Sequence, residues 1–320
     1  MKKRMLLPGL GLLVISAVLV FAEGAADAPK AAYVTDFAMA KELAADGNKP
    51  IIVDFYTDWC TVCKKFDKEV LTDQKAIDFL GREVVFAKIN AEVDTNVSQA
   101  YRIRGYPTFL LTDANGQEID RMVGFLSPDD FIQTVNDYRR GVGTLIALLD
   151  KSKDSRERKL FFEIADKYKF RGDSKNAKDW FDKIIASGAA KQDSLSDEAF
   201  MAIGDMYRRE KQNEQSMKVY QQVVLDFAGT NFEGKGMLYV GQTHRRMKEF
   251  DKALSIYNEV MAKYKGGTFE QDGELYRAIA LRDKGDTAQA ITSFAAFVGH
   301  WPNSEDVEFA NEEIRKLRGE

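Results

Sequence analysis

The chain has few cysteines, few histidines and no excess of basic residues. Two cysteines and two histidines in 320 residues are too few for a disulfide framework or for a zinc site with Cys and His ligands. The net charge of -4 argues against a nucleic-acid-binding protein, for which a basic excess is typical. With 45% hydrophobic and 30% charged residues, the composition suits folded domains, and the length allows two of them.

The N-terminus resembles a secretion signal. Lys2, Lys3 and Arg4 precede an uncharged apolar run, and Val20-Phe21-Ala22 places small residues where a signal peptidase reads the chain. We expect residues 1–22 to be a cleaved signal peptide, with a retained N-terminal membrane anchor as the alternative. Residues 23–32 would then form a leader. This predicts a periplasmic or otherwise extracytoplasmic protein, in a compartment where disulfides form and persist.

Both cysteines lie in one short stretch, Trp59-Cys60-Thr61-Val62-Cys63-Lys64. Two thiols separated by two residues can close a small disulfide ring and open it again, which predicts thiol–disulfide exchange. A permanent disulfide and a pair of idle thiols are the alternatives that this spacing alone leaves open.

The surroundings of the cysteines indicate an α/β domain over residues 33–142. The run from Pro50 to Tyr56 is apolar and β-branched, as in a buried central strand, and Asn115-Gly116 is a typical hairpin turn. The pattern predicts further strands at 83–90, 108–113 and 119–123, and helices at 35–45, 64–79, 96–101 and 128–140. Strands and helices therefore alternate first, and a hairpin follows.

Five motifs occur in a fixed order in this domain: Val53-Asp54-Phe55, Trp59-Cys60-Thr61-Val62-Cys63-Lys64, Ala87-Lys88-Ile89-Asn90, Arg104-Gly105-Tyr106-Pro107-Thr108 and Val123-Gly124. This order resembles the thioredoxin family. The cysteine stretch is most similar to the C-terminal thioredoxin domain of the membrane thiol:disulfide interchange reductase. Thr61 and Val62 depart from the Gly-Pro pair of cytosolic thioredoxins, which leaves the direction of electron transfer open.

The resemblance implies catalytic roles for four residues. Cys60, at the start of a helix, would be the attacking thiolate, and Cys63 would resolve the mixed disulfide. Asp54 would accept the proton of Cys63, and burial should raise its pKa. Lys88 would be the charge partner of Asp54, with a surface ion pair on an edge strand as the alternative.

The same resemblance implies a substrate-binding surface beside the cysteines. Pro107 is expected to be cis, with a trans proline at a strand start as the alternative. The backbone of Tyr106 would pair with a client strand, and Trp59 with Tyr56 would form an apolar rim around Cys60. Tyr56 could equally be a core aromatic. No metal site and no separate cofactor are expected.

Residues 143–320 contain one proline, Pro302, and have a helical pattern throughout. Small residues recur at separations of 39, 37 and 37, with an aromatic 16 positions after each: Ala165 and Phe181, Gly204 and Tyr220, Gly241 and Tyr257, Ala278 and Phe294. This spacing is similar to that of tetratricopeptide repeats. It predicts an all-α repeat domain of about four helix pairs and a capping helix at 304–317.

Together these patterns predict an exported thiol–disulfide oxidoreductase that reduces or isomerises protein disulfides through Cys60 and Cys63. The expected partners are protein thiol or disulfide clients, a membrane electron donor, and a protein or peptide in the repeat groove. No nucleic-acid partner is expected. The alternatives are a protein-binding adaptor or an envelope scaffold, in which the thioredoxin-like module has little or no turnover.

Overall fold

The computed structural model describes residues 30–187 and 194–320, so the predicted signal peptide and most of the predicted leader lie outside the described residues. The described chain forms two compact units that divide after Arg140, except that residues 101–104 group with the second unit. Within the described ranges, no helix is both long and apolar enough to cross a membrane.

The first unit contains a four-stranded mixed sheet in the order β2-β1-β3-β4. β1 pairs with β2 in parallel and with β3 antiparallel, and β3 pairs antiparallel with β4. β1 is the inner strand that leads to the cysteines, and its apolar side chains are completely buried. This burial on both faces explains its unbroken apolar sequence. The strands are Ile51–Tyr56 (β1), Val85–Asn90 (β2), Thr108–Thr112 (β3) and Glu118–Val123 (β4).

Five helices accompany this sheet: Phe37–Gly47 (α1), Thr61–Glu69 (α2), Gln74–Glu83 (α3), Thr95–Ala100 (α4) and Pro128–Arg139 (α5). The predicted single helix over 64–79 is wrong, because α2 and α3 are separate. Val70 and Leu71 are buried at the break, and the Asp73 side chain accepts a hydrogen bond from the N–H of Ala76 at 3.0 Å. This N-cap starts a new helix in a new direction.

Three phenylalanines hold α2 and α5 against the sheet. The ring of Phe66 in α2 lies 4.3 Å from that of Phe109 in β3 and 5.2 Å from that of Phe131 in α5. All three side chains are at most 1% exposed. Full burial of such a side chain contributes about 2 kcal/mol each. The first turn of α2, which carries the cysteines, is therefore fixed by a rigid core.

The second unit is entirely helical. After a short helix α6, it contains four helix pairs, α7 with α8, α9 with α10, α11 with α12 and α13 with α14, and α15 then packs on α14. The helices are Leu145–Lys151 (α6), Arg158–Phe170 (α7), Ser174–Ser187 (α8), Ser194–Arg209 (α9), Asn213–Asp226 (α10), Asn231–Arg246 (α11), Phe250–Lys263 (α12), Thr268–Lys284 (α13), Thr287–His300 (α14) and Val307–Arg318 (α15). The last helix starts three residues after the predicted 304.

The small residues of the repeat allow close helix crossings. A Cβ atom built on Gly204 would lie 2.5 Å from Cε1 of Tyr220, and one built on Gly241 would lie 2.5 Å from Cε1 of Tyr257. Both tyrosines are completely buried. In the first and fourth pairs, alanine occupies the small position and phenylalanine the aromatic one. The predicted packing of an aromatic beside a small residue is confirmed for the two glycine positions.

Candidate active site

The two cysteines lie at the start of α2, directly after the loop that follows β1. They form a disulfide, and Cys60 is the N-cap of the helix, with its Sγ accepting the N–H of Cys63 at 3.1 Å. Cys60 is 5% exposed and Cys63 is 3% exposed. When the pair is reduced, the backbone N–H groups in the first turn of α2 and the helix dipole favour a thiolate at Cys60.

An exposed apolar rim surrounds these buried sulfurs. Trp59 is 64% exposed and Val62 is 40% exposed. The Trp59 indole N–H donates to Oε1 of Glu92 at 2.9 Å, and its ring meets that of Tyr106 edge to face at 5.9 Å. The sequence prediction missed Glu92, although its place just after the strand Asn90 is a signal that could have identified it. These contacts orient Trp59 while leaving its face open to a partner.

The Tyr106–Pro107 peptide bond is cis, as predicted. The turn before β3 is held by the Thr108 hydroxyl, which donates to the Gly105 carbonyl at 2.8 Å. The Pro107 carbonyl accepts the N–H of Gly124 at 3.0 Å. Tyr106 is therefore presented next to Trp59, and its predicted pairing with a client strand stays a prediction.

Asp54 is a buried carboxylate in the centre of the sheet. It lies opposite Lys88 in the β1–β2 register, and Nζ of Lys88 is 3.2 Å from its Oδ2. Its Oδ1 has no hydrogen-bond partner among the described residues. Burial raises the pKa of Asp54 to about 6, although the ion pair with Lys88 opposes this effect. The predicted charge pairing of these two residues is confirmed, and the surface alternative is wrong, since they are 1% and 5% exposed.

Lys88 has a second carboxylate partner, Asp67 of α2. Its ammonium also lies 5.0 Å from the ring centre of Tyr56 and 5.7 Å from that of Tyr33. Burial lowers the pKa of Lys88, but the carboxylates of Asp54 and Asp67 outweigh it and raise the pKa. Asp67 was not predicted from the sequence, although its place four residues after Cys63 puts both on one helix face.

The arrangement combines a disulfide-bonded cysteine pair with a buried carboxylate that can accept a proton near neutral pH. A cysteine pair of this kind can exchange its disulfide with the thiols of another molecule. Within residues 30–187 and 194–320, no cluster of three His, Cys, Asp or Glu side chains is placed to hold a metal ion.

Comparison with known proteins decides the family. The model of the thioredoxin-like domain matches residues 37–139. Thioredoxin of Mycoplasma pneumoniae is 35% identical over 95 residues, which are 30% of this chain and 87% of that protein. The chain belongs to the thioredoxin family. Tetratricopeptide repeat models match residues 197–225, 235–266 and 272–304 of this thioredoxin-family protein, so the predicted fold of both parts is confirmed.

Two further similarities are to a curated protein and to a solved structure. The thiol:disulfide interchange protein DsbD of Salmonella typhi is 34% identical over 100 residues, covering 30% of this chain but only 18% of DsbD. The solution structure of a putative disulphide-isomerase from Bacteroides thetaiotaomicron is 28% identical, with a TM-score of 0.33, and covers 35% of this chain and 96% of that one. The homology to DsbD confirms the predicted resemblance and supports a thiol–disulfide oxidoreductase.

Proposed function

We propose that this protein is an exported thiol–disulfide oxidoreductase that reduces or isomerises protein disulfides. The observation that carries the proposal is the Cys60–Cys63 pair at the start of α2, above a sheet that holds the buried pair of Asp54 and Lys88. An inert structural disulfide does not need a buried carboxylate with a pKa of about 6, which is costly to keep in a core.

The proposed reaction begins with the reduced pair. The Cys60 thiolate attacks one sulfur of a client disulfide, forms a mixed disulfide and releases the first client thiolate. Asp54 then accepts the proton of Cys63, whose thiolate attacks Sγ of Cys60. This step closes the Cys60–Cys63 disulfide and releases the second client thiolate, so that two electrons pass from the protein to the client.

The client would approach over the exposed rim. Trp59 offers an apolar face, and the backbone of Tyr106 pairs with an extended client segment by β-augmentation. The two cysteine residues are no more than 5% exposed, so the client segment would dock closely against the rim beside the cis proline.

Export and electron supply belong to the same proposal. The basic and apolar pattern of residues 1–22 directs the chain out of the cytoplasm, to the periplasm or a similar compartment. Continued reduction there requires a donor that returns the Cys60–Cys63 disulfide to the dithiol, and a membrane electron donor fits this need. The homology to a thiol:disulfide interchange protein supports exchange with another thiol–disulfide protein.

The repeats would recruit or position the client, because tetratricopeptide repeats are typical protein-binding modules. An adaptor or an envelope scaffold without turnover is the competing function. Its basis is the length of the repeat unit, which exceeds that of the thioredoxin-like unit.

The decisive experiment is a trap with Cys63→Ser. This variant should accumulate clients as mixed disulfides on Cys60, and dithiothreitol should release them, because no resolving thiol remains. Cys60→Ser is the matched control and should capture nothing. An empty Cys63→Ser trap in an exported extract would instead favour the adaptor.

The reduction potential of the Cys60–Cys63 couple tests the direction of transfer. A value of about -270 mV supports reduction, whereas a value of about -120 mV would indicate an oxidant.

A further inference from the structure

Arginines recur at one place in the repeat unit. Arg208, Arg245 and Arg282 each follow the small repeat residue by four positions, in the last turns of α9, α11 and α13. Arg209 and Arg246 occupy the next position in the first two of these helices. We call these five residues the arginine face. The chemistry of the cysteine site does not explain this regular spacing.

The arginine face is one connected surface. Arg246 of α11 donates a hydrogen bond to the carbonyl of Arg208 at the end of α9, at 3.2 Å. The guanidinium of Arg208 lies 5.9 Å from the ring centre of Tyr239 in α11. Arg245 forms an ion pair with Asp283 of α13. Since α9, α11 and α13 also pack side by side, the five arginines share one layer of first helices.

Two aspartates neutralise only part of this face. Asp205 pairs with Arg208 and with Arg209, and Asp283 pairs with Arg245 and with Arg282. Glu313 of α15 also forms an ion pair with Arg282. Among the residues that the structure describes, the five arginines therefore form ion pairs with three carboxylates, one of which is shared with Lys316. The whole chain, by contrast, has a net charge of -4.

Arg246 is where the positive charge is least compensated. It forms no ion pair with a carboxylate among residues 30–187 and 194–320. Burial, together with the guanidinium groups of Arg208 and Arg245, lowers the pKa of Arg246, and the attraction of the Asp205 carboxylate only partly opposes this effect. A carboxylate from another molecule would relieve this repulsion and gain charge-assisted hydrogen bonds.

We propose that the arginine face binds an extended acidic segment of a partner protein. Charge complementarity selects aspartate and glutamate side chains. The half-buried ring of Tyr239, stacked on Tyr220 at 4.9 Å, adds an aromatic surface beside the arginines that suits a peptide better than a free inorganic anion. The inference rests on the proposed role of the repeats in partner binding and gives that partner a chemical class.

The test uses a fluorescein-labelled peptide of alternating glutamate and alanine with an amidated C-terminus. Three helices about 9 Å apart span about 20 Å, so a probe of about ten residues is long enough when extended. Fluorescence anisotropy with the oxidised full chain should show saturable binding that weakens as salt is added. A peptide with lysine in place of glutamate should not bind.

Arg246→Gln should weaken binding of the acidic peptide about fivefold to tenfold, because one charged donor is lost. Lys218→Gln removes the same charge from an exposed position on α10 and should change the affinity less than about twofold. If Arg246→Gln does not fold, Arg209→Gln at an exposed position of α9 replaces it and should also weaken binding. Circular dichroism checks the fold of each variant.

Three outcomes would overturn the proposal. They are absence of binding, equal effects of Arg246→Gln and Lys218→Gln, and complete displacement of the peptide by inorganic phosphate at matched ionic strength, which would indicate a simple anion site. Each is distinguishable from a failure of the proposed function, because disulfide reduction by the same variants is measured separately. Lys218→Gln should reduce a model disulfide in insulin at the rate of the unaltered protein.

Discussion

Replacing Asp54 by asparagine should separate the two thiol steps. The carboxylate has a pKa of about 6, so it is mostly ionised at pH 7 and can accept the proton of Cys63. Loss of a general base slows the step that it serves by about 100-fold or more. Asp54→Asn should therefore slow insulin reduction by about that factor at pH 7. Alkylation of the Cys60 thiol by iodoacetamide should remain nearly unchanged.

The same substitution has a predictable effect on stability. Burial raises the pKa of Asp54 from 3.8 to about 6, so the native state binds this proton more tightly than the unfolded chain does. The contribution of Asp54 to the free energy of unfolding is therefore fully present below about pH 4, and it is lost as the pH rises through about 6. The difference of about two pH units corresponds to about 3 kcal/mol.

Asparagine at this position cannot titrate. The free energy of unfolding of the variant, minus that of the unaltered protein, should therefore rise by about 3 kcal/mol from pH 4 to pH 7. Hydrogen exchange of the β1 amides measures the free energy of unfolding of the first unit without the repeats. Asp46→Asn, at an exposed site on α1, is the control. Unchanged insulin turnover would refute the proton-acceptor role, and an identical pH dependence would refute the raised pKa.

Three further changes test neighbouring features. Lys88→Met should raise the pKa of Asp54 above about 6, which would move the pH profile of insulin reduction to higher pH. Gly241→Ala should destabilise the repeats by about 2 kcal/mol in thermal unfolding, because its Cβ would overlap the ring of Tyr257. Lys248→Gly should raise stability by about 0.5 kcal/mol, since Lys248 has a φ of 61° that glycine tolerates better; an unchanged melting temperature would contradict this.

Several features of the site were predictable because they depend on residues close together in sequence. An apolar strand followed by a CxxC stretch and a helix predicts sulfurs at a helix start, and the structure has this arrangement. The pairing of Asp54 with Lys88, which are distant in sequence, was predicted only from the resemblance to the thioredoxin family, and the β1–β2 register agrees with it. The repeat spacing similarly predicted which small residues meet which aromatics, as Gly204 and Tyr220 confirm.

Other features were not predictable because they depend on packing between distant residues. The break between α2 and α3 is fixed by burial of Val70 and Leu71, which the helical pattern of the sequence did not indicate. The contact of Asp67 with Lys88 joins a helix to a strand 21 residues later. The place of Asp67 four residues after Cys63 puts it on the helix face of the site, but it does not identify Lys88 as its partner.

The amino-acid sequence by itself determined the two kinds of fold and the cysteine chemistry, because hydrophobic periodicity and motif spacing are local properties of the chain. Only the tertiary structure decided which charges meet. It placed Asp67 on Lys88, and it brought Arg246 beside Arg208 without a carboxylate in ion-pair contact with Arg246 in the described chain. Electrostatic energies depend on distance and burial, and these are fixed only when the elements have packed together.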